Sequence, residues 1–357
     1  MKGGIIMLKK IIAVLLCLTL VFTLCACGGN NETPSDEPAN SETGNQQTNN
    51  EQPNQNSSDT SGDNKNIIDL TNAGVIICFG DSITQGMQVD KSQNYPSVLQ
   101  KRLGEQIKVI NAGVGGETSN TIMSRANAIE FTVTNNVVFN AGQSEAVLDW
   151  KLFSDINGGE IKYRYGSFGN ELKIKNVVID GKPYTLRIEA AEDKEEKNMK
   201  YILSRSDASA AITLEKGVKV SFDYSEFYNK SYCAVVLMGA NDSDVNADEL
   251  IARYKKIAAT SEKFIAIIPH YGTDYTQKFV EAFGDSVVNL REYCKDKVWE
   301  DYNLKKEPKD EYYIKKNYLS AKFVYQGRKG DCHLSELGYK ILGNLVYEKG
   351  VELGYWN

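Results

Sequence analysis

Val75-Ile76-Ile77-Cys78-Phe79-Gly80-Asp81-Ser82-Ile83-Thr84 is the stretch on which the fold turns. Its first five residues are apolar without a break, which is the pattern of a strand buried on both faces in a parallel sheet. Gly-Asp-Ser follows at once, so polar groups stand at the carboxyl end of that strand, where open α/β sheets carry their sites. Outward from it the chain alternates. Asn94–Gly104 has a helical apolar face, and Ile107–Ile110 is a short strand that breaks at Asn111-Ala-Gly-Val-Gly-Gly116. Thr118–Ala128 reads as a helix, and Tyr232–Met238 as a strand ending in Gly239-Ala-Asn-Asp242. Asp248–Lys263 (helix), Phe264–Pro269 (strand), Tyr275–Phe283 (helix), Val287–Leu290 (strand) and Ser335–Glu352 (helix) complete the series. Strand–helix alternation of this kind predicts an α/β fold around a parallel sheet.

Residues 131–230 interrupt the rhythm. Short alternating segments at Phe131–Phe139, Glu160–Tyr165, Leu172–Ile179, Tyr184–Glu189, Met199–Ser204 and Ala211–Tyr224 predict strands, with Asp180-Gly181 as a hairpin turn between two of them. This is a β-rich insertion within an α/β domain made of 67–130 and 231–357. Its many aromatic residues, among them Trp150, Phe153, Tyr163, Tyr165, Phe168, Tyr184, Tyr224, Phe227 and Tyr228, read first as the core of a β unit and second as a stacking platform for carbohydrate.

Ahead of the body stands a different kind of sequence. Residues 1–26 hold three lysines, no acid and an apolar run from Ile11 to Leu24, the make-up of a signal peptide. Residues 27–66 are nearly all polar with a net charge of −6, too poor in apolar side chains to offset the entropy of ordering, and read as a flexible tether. Leu24-Cys25-Ala26-Cys27-Gly28 resembles a bacterial lipobox, which implies that Cys27 is lipidated and that the protein is held on the extracytoplasmic face of a bacterial cell membrane. The chain of 357 residues carries a formal charge of −6, of which the body holds only −3. That argues against a nucleic-acid partner and against steering of a charged macromolecule. Cys78 and Cys233 read as core residues; Cys294 and Cys332 read as free thiols ahead of a disulfide. With only His270 and His333, a His-rich metal site is excluded; P-loop, HExxH and EF-hand motifs are missing, and neither metal nor cofactor is expected.

Ser82 sits at a strand end as a nucleophile does on its elbow, although the plainer reading of a serine in a Gly-Asp-Ser turn is a helix N-cap. Three further blocks follow in order: Asn111-Ala-Gly-Val-Gly-Gly-Glu-Thr118, Gly239-Ala-Asn-Asp242 and Gly330-Asp-Cys-His-Leu334. Together the four resemble the GDSL/SGNH hydrolase family over 75–130 and 231–357. The resemblance implies a flavodoxin-like three-layer sandwich and a serine esterase without cofactor. Ser82 would be the nucleophile and His333 the general base, with Ser82 N–H, Gly116 N–H and the Asn241 amide as the oxyanion hole. Asp331 would orient His333, but the family places its aspartate three residues before the histidine and this chain places it two before. Two residues share a face only in an extended segment, so an extended path through Gly330–His333 is expected. By analogy with serine proteases, Asp331→Asn would then cost on the order of 10⁴ in kcat. His270, in Ile268-Pro-His-Tyr-Gly272, is a candidate for substrate contact, with a satisfied loop residue as the plainer reading. The function expected is a surface-anchored carboxylic-ester hydrolase acting on a small-molecule or acylated polysaccharide substrate; the rival is a non-catalytic ligand- or carbohydrate-binding lipoprotein with a degenerate site.

Overall fold

A computed structural model describes residues 74–105, 107–148, 153–163, 176–189, 200–223, 233–243, 245–327 and 331–356. Cys27, the signal and tether segments, Gly330, and Trp150, Tyr165, Phe168, Tyr224, Phe227 and Tyr228 lie outside them. Five parallel strands form the central sheet: β1 (Ile76–Gly80), β2 (Val109–Gly113), β3 (Cys233–Leu237), β4 (Lys263–Ile267) and β5 (Val287–Val288), in spatial order 2-1-3-4-5. That is the flavodoxin-like doubly wound order, with the switch point between β1 and β3. The helices are α1 (Ser82–Gln85), α2 (Tyr95–Leu103), α3 (Ser119–Arg125), α4 (Ala247–Ala258), α5 (Thr276–Phe283), α6 (Leu290–Lys295) and α7 (Glu336–Glu352), with short helices at Lys297–Asp301 and Pro308–Lys315 between the last two.

The two-residue period of the strands sorts the core into two faces. Ile77 and Phe79 of β1, with Ala234 and Val236 of β3, pack under Ile122 of α3, Tyr254 of α4 and Phe279 of α5. Ile76 and Cys78, with Cys233 and Val235, pack under Leu99 of α2, Cys294 of α6 and Tyr339 and Leu342 of α7. Three layers result. No disulfide joins the four cysteines described, and Cys78, Cys233 and Cys294 are buried. No helix among the described residues is long and apolar enough to cross a membrane.

The insertion is an eight-stranded antiparallel sheet with a two-stranded ribbon beside it. Asp180 and Gly181 turn with φ of 51° and 70°, and Ile179 pairs with Lys182 across them. Two predicted strands are each broken in two. Phe131–Phe139 becomes Phe131–Val133 in the large sheet and Val137–Phe139 in the ribbon, and Ala211–Tyr224 divides likewise into Ile212–Leu214 and Lys219–Phe222. The pair moves together because Ile212–Leu214 runs antiparallel to Val137–Phe139 while Lys219 and Val220 face Thr132 and Phe131. Glu145–Leu148 and Phe153–Asp155 are strands that the sequence reading missed. Among the described residues the insertion shares one apolar cluster with the α/β body, Phe131, Phe153, Tyr163 and Phe222 packing with Phe79, Ile122 and Met123. Phe131 meets Phe153 edge-on at 5.7 Å, and Tyr163 meets Phe222 likewise. Core packing therefore accounts for Phe153, Tyr163 and Tyr184, all buried.

Two boundaries shift for local reasons. Helix α4 stops at Ala258 rather than Lys263, because the Thr260 and Ser261 hydroxyls donate to the carbonyls of Ile257 and Ala258 and close the last turn. Strand β5 ends at Val288, because Asn289 caps α6, accepting the Glu292 N–H at 3.0 Å.

Candidate active site

Gly80 ends β1, and its backbone is not in the left-handed region. The glycine here answers to space rather than to a special φ. A Cβ on Gly80 would lie 2.1 Å from Thr84 Oγ1 and 2.3 Å from the carbonyl oxygen of Leu237 at the end of β3. The residue is small because two chains touch there. Asp81 is the N-cap of α1, accepting the Ile83 N–H at 3.0 Å, so Ser82 is the first helical residue rather than the cap. As such, its N–H has no acceptor within the helix. Ser82 is only 6% exposed.

The second oxygen of Asp81 accepts the Ala240 N–H at 3.2 Å and so ties the first block to the third. Burial pushes the Asp81 carboxyl up to about 7, against the pull of these two donors. Asp242 ties the third block to the second: it accepts the Ser119 N–H at the start of α3, and Arg253 of α4 bonds both Asp242 and the Ser119 hydroxyl. The Asn241 side-chain amide donates to the Glu117 carbonyl at 3.0 Å. The Glu117 carboxylate forms a wholly buried ion pair with Arg125, 2.6 Å away, and Arg125 also donates to the Ala112 carbonyl. Gly115 N–H donates to Gln85 Oε1 at 2.8 Å, and a Cβ on Gly115 would lie 3.6 Å from Ser82 Cβ. Gly116 adopts φ of 80°, which favours glycine. The sequence reading passed over Asp81, Gln85, Glu117, Arg125 and Asp242; the only signal was an acidic residue in or beside each of the first three blocks.

The fourth block closes the arrangement. Leu334 bridges to Val324, with the His333 carbonyl accepting from Tyr325 N–H and Ser335 N–H donating to Phe323, so the backbone at His333 is clamped before Ser335 caps α7. His333 Nε2 is 3.0 Å from Ser82 Oγ, and His333 Nδ1 is 3.1 Å from Asp331 Oδ1. The same Asp331 oxygen accepts the His333 backbone N–H at 2.9 Å. Residues 331–333 are not helical, and the two side chains meet at a spacing of two. The consistent assignment of hydrogens has Nδ1–H donating to Asp331 and Nε2 accepting from the Ser82 hydroxyl. Asp331 and His333 are 17% and 20% exposed. Asn241 is exposed and Gly115 and Gly116 are half-buried, so the mouth of the site is open.

His270 does not face the mouth. It is 3% exposed, and its Nε2–H donates to the Cys332 carbonyl at 2.8 Å, behind the turn that carries Asp331 and His333. The plainer of the two readings of His270 fits: the ring braces from beneath the turn that carries Asp331 and His333. Arg291 Nε in turn donates to the His270 carbonyl. Burial drives the His270 pKa down to about 4, with Arg291 and His333 pushing the same way and the Cys332 carbonyl opposing, so the ring is neutral.

The insertion reaches this region through α3. Asn120 Nδ2 donates to Asp155 and to the Glu160 carbonyl, and the Ser124 hydroxyl meets the Tyr163 hydroxyl at 2.8 Å. These contacts begin four residues beyond Gly116.

The sheet order, with Ser82 after β1, Gly116 after β2, Asn241 after β3 and His333 ahead of the last helix, decides the architecture. This is the flavodoxin-like three-layer sandwich that the resemblance to the GDSL/SGNH hydrolases implies. Similar solved structures include a carbohydrate acetylesterase from Sinorhizobium meliloti, 12% identical over 78% of this chain and 99% of that one, with a TM-score of 0.33. The aryl esterase of M. smegmatis is 12% identical over 79% and 100% of the two chains, with a TM-score of 0.33. A Desulfitobacterium hafniense protein assigned to the lipolytic G-D-S-L family is 13% identical over 77% and 98%, with a TM-score of 0.32. No family model and no curated protein sequence matches the chain.

Proposed function

We propose that the chain is an SGNH-type serine hydrolase that cleaves carboxylic esters through an acyl-Ser82 intermediate. The observation that carries this reading is the unbroken chain Ser82 Oγ, His333 Nε2, His333 Nδ1, Asp331 Oδ1, with links of 3.0 and 3.1 Å. A serine hydroxyl is a weak nucleophile until a neutral imidazole takes its proton as it attacks. His333 takes it on Nε2, Asp331 supports the imidazolium, and the same proton passes to the departing alkoxide. Water then repeats the cycle on the acyl-enzyme.

The negative charge on the tetrahedral intermediate is met by the Ser82 and Gly116 N–H groups and by Asn241. An amide has two hydrogens. One is spent on the Glu117 carbonyl, and the other is the one this role needs. Each such preorganised donor is worth roughly 2.7–4 kcal/mol at the transition state. The buried Glu117–Arg125 pair holds the loop between Gly116 and α3, and Asp81 and Asp242 hold the Asn241 loop to its neighbours.

The substrate and setting belong to the same proposal. An open mouth admits a short acyl group carried on a large molecule, and a near-neutral body suits an uncharged polymer. With a lipid on Cys27 and a polar tether, the enzyme would act on acetylated polysaccharide outside the cell membrane. Labelling by a fluorophosphonate tests the chemistry: Ser82 should be the labelled residue, and Ser82→Ala should abolish both labelling and aryl-acetate hydrolysis. His333→Ala should do nearly as much damage, and the two losses should not add, because the pair acts as one unit. Intact protein that neither labels nor hydrolyses any ester would leave the non-catalytic reading standing. A screen of acetylated sugars against aryl and lipid esters tests the substrate class.

A further inference from the structure

The aspartate–histidine spacing of two leaves a cysteine between the catalytic carboxylate and imidazole, and no step proposed above uses its thiol. Asp331, Cys332 and His333 each place one donor atom, an oxygen, a sulfur and a ring nitrogen, within 4.8 Å of the other two. Cys332 Sγ is 3.9 Å from His333 Nδ1, which is itself 3.1 Å from Asp331 Oδ1. A tetrahedral Zn²⁺ with its usual bond lengths would set sulfur and nitrogen roughly 3.6 Å apart, and nitrogen and oxygen roughly 3.3 Å apart. Those two separations differ from these by a few tenths of an ångström, and the third, sulfur to oxygen, lies within 4.8 Å. Thiolate, imidazole and carboxylate are also the ligand types that select a borderline-soft divalent ion over magnesium or calcium. The three residues are half-buried, so solvent reaches their edge and water can fill the fourth position.

We infer that Asp331, Cys332 and His333 form an inhibitory site for a borderline-soft divalent cation of the Zn²⁺ class. The inference rests on the hydrolase reading for its consequence but not for the binding itself. In the working state Nδ1 carries the imidazole proton and Nε2 accepts from Ser82. A metal on Nδ1 takes that lone pair, so the ring proton must sit on Nε2 instead, passing by way of solvent. Nε2–H then donates to Ser82 Oγ and cannot accept its proton. The Cys332 thiol loses its proton to solvent as the sulfur–metal bond forms, so one proton is released for each ion bound. Asp331 is drawn from the imidazole to the ion. The base is disabled with the mouth and the Asn241 and Gly116 loops unchanged, so kcat falls while KM stays where it was.

The test uses the purified protein with Co²⁺ as a spectroscopic probe and Zn²⁺ as the inhibitor, with Cys332→Ser as the variant. The wild type should develop a thiolate-to-cobalt charge-transfer band with one equivalent of Co²⁺ and release one proton per ion. Zn²⁺ should lower kcat without raising KM, reversibly on addition of a chelator. Cys332→Ser should keep its basal hydrolysis and circular dichroism, lack the band, and need at least roughly tenfold more Zn²⁺ for the same inhibition, since loss of even an outer-shell partner costs 10–100-fold. An active wild type without the band, or a band that survives in Cys332→Ser, overturns the site. Zn²⁺ inhibition that is equal in both proteins, or that raises KM, overturns the mechanism. A band that depends on Cys332 in a protein that neither hydrolyses esters nor labels supports the site and refutes the hydrolase reading, so the two failures are distinct.

Discussion

Asp331→Asn separates two ways in which a carboxylate can serve a histidine, and the geometry predicts which one operates. In Asp331 a single oxygen, Oδ1, accepts both the imidazole Nδ1–H at 3.1 Å and the His333 backbone N–H at 2.9 Å. An asparagine in the same rotamer can put its carbonyl oxygen there and satisfy both donors. Flipping the amide would set its NH₂ against two N–H groups, and leaving donors without acceptors costs about 1–3 kcal/mol each. The backbone N–H therefore holds the amide in the orientation that keeps the imidazole in its working tautomer. What the variant loses is charge. The attraction between a carboxylate and an imidazolium 3.1 Å apart is about 5 kcal/mol at an effective dielectric of 20 and about 1.3 kcal/mol in bulk water. With both side chains about a fifth exposed, the loss should fall at about 2–3 kcal/mol, or roughly 30- to 150-fold in kcat. This replaces the 10⁴-fold loss expected from the sequence by analogy, which assumed that the amide would impose the wrong tautomer. The assay is aryl-acetate hydrolysis with circular dichroism as the control, and Asp331→Ala, which leaves both N–H groups without their acceptor, should lose more. A 10⁴-fold loss in a folded Asp331→Asn, or equal losses in the two variants, would refute the shared-oxygen argument. A loss below about tenfold would reduce the triad to a Ser82–His333 pair.

Two further outcomes follow from the same geometry, and a third from the amino-terminal sequence. His270 has its pKa lowered from 6.5 to about 4, so the stability it contributes is complete above pH 6.5 and is lost as pH falls toward 4; between pH 7.5 and 5 the wild type should lose about 2 kcal/mol relative to His270→Asn in urea unfolding. Asp81, raised to about 7, acts in the opposite sense, its stabilising effect being lost as pH rises through 7, but it cancels in that comparison; equal pH slopes in the two proteins would show that His270 is not buried neutral. Gly80→Ala should destabilise by about 1–3 kcal/mol and lower kcat, because its Cβ would collide with the Leu237 carbonyl oxygen, and a shift below about 0.5 kcal/mol in urea unfolding would contradict the contact. Cys27→Ala should release the protein from the membrane or leave it uncleaved, and a mature chain that mass spectrometry finds starting elsewhere without lipid would end the anchoring proposal.

The sequence by itself determined the parts whose causes are local. Val75–Phe79 and Tyr232–Met238 read as buried strands because a strand covered on both faces has no polar alternation to hide it. Asp180-Gly181 read as a turn because both positions need positive φ. The four blocks were legible as short polar motifs, three of them at strand ends, and their resemblance to a known family nominated Ser82, Gly116, Asn241 and His333. Tertiary structure alone decided how these residues meet. Ser82 and His333 are 251 positions apart, and no local pattern encodes a 3.0 Å contact between them. The need for glycine at Gly80 comes from the Leu237 carbonyl on a neighbouring strand rather than from its own turn. The roles of Asp81 and Asp242 depend on which backbone N–H groups other loops bring to them. His270 was legible as a loop residue at a strand end, with substrate contact as the alternative, and only packing shows that its ring meets the Cys332 carbonyl from within. The insertion looked self-contained because its strands alternate, but its apolar faces are completed by Phe79, Ile122 and Met123 of the α/β body. Periodicity reports which face of an element is apolar; what covers that face, and which polar atoms arrive with the cover, is set by packing between segments far apart in the chain.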